Sequence, residues 1–320
     1  MGRRIILTGR FVHNDPPLAW AFDFLAGSGC QRSAYPLGPV PNWFRRPPPF
    51  RPARCPLFER VRLPHWRLPK GVSQGLWDYF RAPHIAHDYD RYFAANSLFE
   101  FDEEVIRRHF TKPGLIVDLG AGTGRLLVAF ARRGFRGLAV DLSPHMLEVV
   151  GDKAADENLP IDRLLANFVE LDCIRSGSVD YCICMFSTLG MIRGSENRLR
   201  VLQHARRILK SDGQFVFHVH NRWYNLLQEQ GRSWLVTNFF GWLAGRPVEP
   251  GDKFFEYRGV PGMYLHVFTL GELKRLVRAA AFELVELVAL DTERRHALRF
   301  PWLFGRLRAN GWILVCRPAS

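Results

Sequence analysis

This sequence predicts an α/β fold built on a doubly wound parallel sheet, and three observations carry the prediction. Strand-like and helix-like segments alternate from Leu115 to Asn221, the pattern of a parallel sheet covered by helices on both faces. The first strand, "LIVDLG", is apolar apart from Asp118, as a strand buried on both faces must be. It runs directly into "AGTGR", a glycine-rich turn that opens a helix.

Residues 1–70 come before that pattern and differ from it. They hold 12 of the 21 prolines and 12 Lys+Arg against 3 Asp+Glu, so most of the net charge of +13 belongs to them. Proline removes backbone donors and breaks both helix and sheet, so an extended, weakly ordered basic arm is expected. Trp20, Trp43, Phe44 and Trp66 are its candidates for docking on the body. Residues 71–320 form the expected folded domain. Within it, 71–113 read as two or three short aromatic-rich helices, a helical lid closed by Pro113-Gly114.

The core, 114–221, follows in order. The helix "TGRLLVAFARRG" stops at Gly134, "GLAVDLS" is the second strand and "PHMLEVVGDKAADE" the second helix. "RLLANFVEL" and "SVDYCICMF" read as the third and fourth strands. "SENRLRVLQHARRILKSDG" is an amphipathic helix and "QFVFHVHN" the fifth strand. Residues 222–268 break the rhythm with an insertion dense in Trp, Phe and Tyr. Loops set the substrate on such scaffolds, so the insertion reads as a substrate cap. In 269–320, Thr269 and Glu272 form a capping box for a helix, and "ELVELVALD" and "GWILVCR" are two late strands.

Composition narrows the class. An apolar share of 47% and a charged share of 23% are ordinary for a globular domain. No apolar run reaches the roughly 18–20 residues of a membrane helix, and "LAWAFDFLAG" is too short and too polar for a leader. Position 6 is Ile, not the Ser or Thr that myristoylation prefers. No membrane partner is therefore expected. The six cysteines form no CxxC, and Cys182 and Cys184 read as small buried hydrophobes. A reduced, cytoplasmic protein without a metal follows.

The glycine-rich turn separates two ligand classes. Dinucleotide sites use G-x-G-x-x-G, whereas Gly120, Gly122 and Gly124 are spaced G-x-G-x-G. Asp118 lies two residues before the first glycine, where it would repel a pyrophosphate and attract an ammonium group. Asp141 ends the second strand 17 residues after Gly124, where a carboxylate can accept from ribose hydroxyls. Together these residues favour S-adenosyl-L-methionine, whose methionine end carries the ammonium.

"VDLGAGTGR" closely resembles the glycine-rich motif of class I S-adenosylmethionine-dependent methyltransferases, and the resemblance covers roughly residues 72–320. It implies a Rossmann-like sheet of seven strands with the last antiparallel. It also implies that Asp118, Gly120, Gly122 and Gly124 hold the methionine end and that Asp141 holds the ribose. Asn167, standing where many members have Asp, and Phe168 would face the adenine. The family often sets a tyrosine from its N-terminal helices over the cofactor. Tyr89 is the choice here, with Tyr92 three residues on. The basic arm has no counterpart in the family pattern.

Methyl transfer needs positioning more than a catalytic motif. His220 and Asn221, at the end of the fifth strand, are the candidate catalytic pair, because imidazole titrates near neutrality. His218 shares the face of His220 and reads as a core histidine, and Tyr264 and His266 are second choices. The expected function is a methyltransferase acting on a small-molecule acceptor. The alternatives are an RNA methyltransferase tethered through residues 1–70 and a non-catalytic S-adenosylmethionine-binding protein. A nicotinamide oxidoreductase is disfavoured by the glycine spacing.

Overall fold

The computed structural model describes residues 64–93 and 98–319, so almost all of the expected basic arm lies outside the described residues. Trp66, which is described, is 76% exposed rather than docked. Seven strands form one sheet: β1 (Leu115–Leu119), β2 (Arg136–Asp141), β3 (Ile161–Leu165), β4 (Val179–Cys184), β5 (Leu209–His220), β8 (Phe282–Ala289) and β9 (Gly311–Pro318). Their order is β3-β2-β1-β4-β5-β9-β8. The first five pair in parallel, and β9, the last strand in the chain, runs antiparallel between β5 and β8. The expected seven-stranded sheet with its last strand antiparallel is therefore present. A buried apolar layer covers each face, one around Val117, Val140 and Phe217, the other around Ile116, Phe130 and Ile313.

Two strand boundaries differ from expectation. The third strand ends at Leu165 instead of running through Leu171. β3 pairs only with β2, whose last residue, Asp141, sits opposite Leu165, so no backbone partner remains beyond it. The Asn167 side-chain oxygen then accepts from Val169 N (3.1 Å) and turns the chain. Val169 and Leu171 are buried core residues of a loop. The fifth strand begins earlier than expected, at Leu209, which pairs with Val179 before a register shift absorbs the polar "KSDG".

Helices flank the sheet: α4 (Arg125–Ala131), α5 (Pro144–Asp156), α6 (Ser195–Ile208) and α8 (Leu270–Ala279), the last opened by the predicted Thr269–Glu272 capping box. Three more precede β1: α1 (Gln74–Phe80), capped by Ser73, then α2 (Pro83–Phe93) and α3 (Leu98–His109). The insertion forms a 3-10 turn (Trp223–Leu227), α7 (Glu229–Leu243) and a hairpin of β6 (Asp252–Tyr257) and β7 (Val260–His266). A short α9 (Gly305–Arg308) precedes β9.

The hairpin packs behind α1 and α2. Tyr257, Val260 and Met263 join Leu76, Ile85 and Met146 in a third apolar cluster, and Arg258 donates to Ile85 O. Its other side is fixed by ion pairs. His266 Nδ1 meets Asp252 (2.8 Å) and its Nε2 meets Glu272 (2.8 Å), while Arg198 of α6 pairs with Glu249. Burial alone would lower the His266 pKa, but its two carboxylate partners outweigh burial and raise it. Glu249, Asp252 and His266 are close enough to surround an ion. Both ring nitrogens and the Glu249 carboxylate are, however, already engaged by side chains, so the group acts as a tie between insertion and sheet.

Candidate functional site

Strand order reverses direction between β1 and β4, and open α/β sheets bind ligands beyond the carboxyl ends of strands at such a point. A cavity of about 110 Å³ opens there. One wall is backbone. Gly120 N donates to Val140 O (2.8 Å), bending the chain off β1 toward β2. Gly120 has φ +84°, and a Cβ there would lie 2.3 Å from Thr188 Cγ2. Gly122 has φ +54°, and a Cβ on it would meet nothing within 4 Å. Both positions need left-handed backbone, and Gly122 leaves room for a ligand against the main chain. The turn is also clamped from α2. Asp90 accepts from Thr123 Oγ1 (2.6 Å) and pairs with Lys153, which itself donates to Thr123 O.

Asp118 and Asp141 both line this wall and are 4% and 6% exposed. Burial, then the charge of Asp141, pushes the Asp118 carboxyl up to about 8. Burial also raises Asp141, against the amide bonds it accepts. Those bonds come from Gly122 N (2.9 Å) and Ser143 N (2.8 Å), so Asp141 fixes the turn as well as facing the cavity. Two buried acids side by side are unfavourable until a cation reaches them.

The opposite wall is made of side chains: Tyr79, Phe80 and Tyr89 from α1 and α2, with Met185, Phe186 and Met191 after β4. Phe186 and Ser187 hold φ of +56° and +61°. Such backbone is costly for bulky residues and gathers at binding sites. Ser187 Oγ accepts from His220 N, and Thr188 Oγ1 donates to Met185 O (2.7 Å), which hold the turn in place. Asp102 of α3 is the acid on this side. It is 1% exposed, neither oxygen has a hydrogen-bond partner among the described residues, and Arg294 Nη2 stands 3.9 Å away. Burial, opposed by Arg294, puts its carboxyl at about 6.

The cavity thus gathers Asp118, Gly120, Gly122, Asp141, Phe168 and Tyr89 from the residues singled out in the sequence. Gly124 caps α4 from behind, packed on Val150. The Tyr92 side chain lies outside the described ones. Asn167 does not line the cavity, because its amide donates to Lys70 O and its oxygen accepts from Val169 N.

His220 and Asn221 do not line it either. Asn221 is spent on structure, donating to Arg306 O and Ala309 O and accepting from Trp223 N. Burial and Arg294 hold the His220 imidazole down at about 3, so it stays neutral and is a weak base. His218 is fully buried beside Arg294. No residue of 222–268 lines the cavity wall. The hairpin instead supports α1 and α2, which do line it. Sequence reasoning missed Asp102, Tyr79 and Phe186. Only the clustering of acids in "EFDEEV" hinted at the first, and nothing local marks the others.

Comparison with known proteins accords with this geometry. Residues 116–213 match the family model of the methyltransferase domain. This segment is similar to a methyltransferase domain. The match implies S-adenosyl-L-methionine as the cofactor. A protein of Geobacillus sp. (strain WCH70), whose name marks it as a candidate methyltransferase, is 34% identical over 108 residues, 33% of this chain and 42% of its own length. A ubiquinone biosynthesis O-methyltransferase of Xanthomonas oryzae pv. oryzae is 25% identical over 107 residues, 33% of this chain and 43% of its own. The chain thus spans less than half the length of these two relatives.

Among solved structures, a SAM-dependent methyltransferase of Methanosarcina mazei superposes with a TM-score of 0.55 at 17% identity, covering 67% of this chain and 97% of its own. The 1,6-didemethyltoxoflavin-N1-methyltransferase of Burkholderia thailandensis, solved with its acceptor and S-adenosylhomocysteine, gives 0.51 at 17% identity, covering 74% and 85%. At such identity the likeness is one of fold. The cavity fits the cofactor on its own evidence. The space in front of Gly122 admits a ligand against the backbone, and the buried acids suit a cationic one.

Proposed function

We propose that this protein is an S-adenosylmethionine-dependent methyltransferase acting on a small, largely apolar acceptor. The observation that carries the reading is the buried Asp118 beside Gly120 and Gly122, a carboxyl pushed up to about 8 against open backbone. In this reading Asp118 takes the ammonium of the methionine end, and Gly120 and Gly122 let that end lie along the turn. Asp141 and Leu142 border the ribose, Phe168 packs on the adenine, and Tyr89 closes the site from α2. S-adenosylmethionine supplies an electrophilic methyl group on a cationic sulfur.

The chain's own residues then orient the acceptor and exclude water. Tyr79, Phe80, Met185, Phe186 and Met191 form an apolar slot for a flat or aliphatic body. Asp102 is suited to accept a proton or hydrogen bond from the acceptor's N–H or O–H, since its oxygens face Arg294 at ion-pair distance but accept no hydrogen bond among the described residues. The small-molecule acceptor of the Burkholderia structure supports this size class. A role in RNA methylation would rest on residues 1–70, nearly all outside the described chain.

The test is calorimetry on the full chain. S-adenosylhomocysteine should bind in the micromolar range while NADH does not, and Asp118→Asn should weaken the binding at least about tenfold. Binding of NADH alone, or equal binding by the variant, would refute the reading.

A further inference from the structure

Among the described residues, α7 has its apolar face outward. Toward the protein it buries Gly231, Leu235, Asn238 and Gly241, three of them small or polar. Toward solvent it presents Val236, Phe239, Phe240 and Leu243 at i, i+3, i+4 and i+7, each 45–64% exposed. A surface helix ordinarily does the reverse. The 3-10 turn Trp223–Leu227 packs against both α7 and α9 and leaves Leu227 57% exposed. Next to it, Phe300, Trp302 and Phe304 are 51%, 79% and 68% exposed. Phe300 and Phe304 also hold left-handed backbone, φ +56° and +50°, which phenylalanine adopts only at a cost. Connected apolar surface on this scale marks an interaction site.

The charges on these segments are all but one positive. Residues 222–246 and 299–308 contain Arg222, Arg232, Arg246, Arg299, Arg306 and Arg308 against the single acid Glu229. None of these residues lines the cofactor cavity.

We propose that this face docks on the surface of an anionic lipid bilayer, its aromatic rings entering the interface and its arginines meeting headgroup phosphates. Tryptophan and phenylalanine beside cationic side chains suit the boundary between headgroup and acyl chain. The charge also argues against the other occupants. A second copy related by a two-fold axis would set one arginine-rich rim against another. Residues 1–70, with 12 basic groups to 3 acidic, would be repelled by it too. No described helix is long and apolar enough to cross a membrane, but lying on one requires only an exposed apolar face. The inference stands independently of the acceptor.

The experiment is vesicle flotation of the full-length protein, with phosphatidylcholine alone and with about one-third phosphatidylglycerol. Three double variants accompany it: Phe239→Ser/Phe240→Ser, Trp302→Ser/Phe304→Ser and Arg299→Gln/Arg306→Gln. The proposal expects flotation with anionic vesicles that weakens in high salt. Each aromatic variant should lose about tenfold in partitioning and the arginine variant several-fold, with S-adenosylhomocysteine affinity unchanged throughout. It is overturned if the protein does not float, or if all variants float like the parent, which would put binding elsewhere. It is equally overturned if sedimentation finds a dimer that the aromatic variants split.

Discussion

The two walls of the cavity are made of different materials. On the β1–α4–β2 side the ligand meets main chain: two left-handed glycines and the acids at the ends of two strands. On the α1–α2 and post-β4 side it meets tyrosine, phenylalanine and methionine, with Asp102 as the buried acid. The first wall tolerates little substitution, because φ and close approach fix both residue type and spacing. The second needs only volume and polarity, which many residues supply. A cofactor common to many proteins suits the first wall and a particular acceptor the second.

The largest effect should come from breaking the backbone wall. Gly120→Ala puts a Cβ 2.3 Å from Thr188 at φ +84°, which should cost about 1–3 kcal/mol of stability and remove measurable S-adenosylhomocysteine binding. Thermal melts with and without ligand check both. Asp118→Asn should separate the two quantities. It relieves a buried, raised acid, so the ligand-free protein melts higher at pH 8, while affinity falls at least about tenfold.

A test of the side-chain wall comes next. Arg294→Met removes the cation facing Asp102 and leaves a buried carboxylate unpaired. The cost should be about 3 kcal/mol at neutral pH. The sign follows from linkage. Losing Arg294 lifts the folded pKa of Asp102 further from its position near 6, so the unfolded chain releases that proton first and stability falls as pH rises above about 4. Denaturant melts at pH 5 and pH 8 should therefore show a smaller loss at the lower pH. The smallest effect is expected at Asn167→Ala. That amide is tied to Lys70 O and Val169 N, so about 1 kcal/mol of stability should go with little change in ligand affinity.

The same contrast explains what could be read before the fold was in hand. Gly120, Gly122, Asp118 and Asp141 lie within 24 consecutive residues, and their roles follow from local rules of turn geometry and charge. The sheet was legible for a similar reason, since each buried strand announces itself by its own apolar run. Asp102 and Arg294 are distant in sequence and acquire their meaning only by meeting in the fold. His220 looked reactive because of its place at a strand end, but burial beside Arg294 keeps it neutral. The aromatic insertion looked like a lid because aromatics often line pockets. Here Tyr257 packs behind α1 and α2, and Phe239, Phe240 and Trp242 face outward.

The most direct test of the account is calorimetric titration of the full-length protein with S-adenosylhomocysteine at pH 7, in two buffers of different ionisation enthalpy. In the free protein Asp118 sits at about 8 and is mostly protonated at that pH, whereas an ammonium beside it favours the carboxylate. Binding should be micromolar with release of up to about one proton, and affinity should rise toward pH 8 and then level. Binding without proton release, or none at all, would contradict the assignment of the methionine end to Asp118.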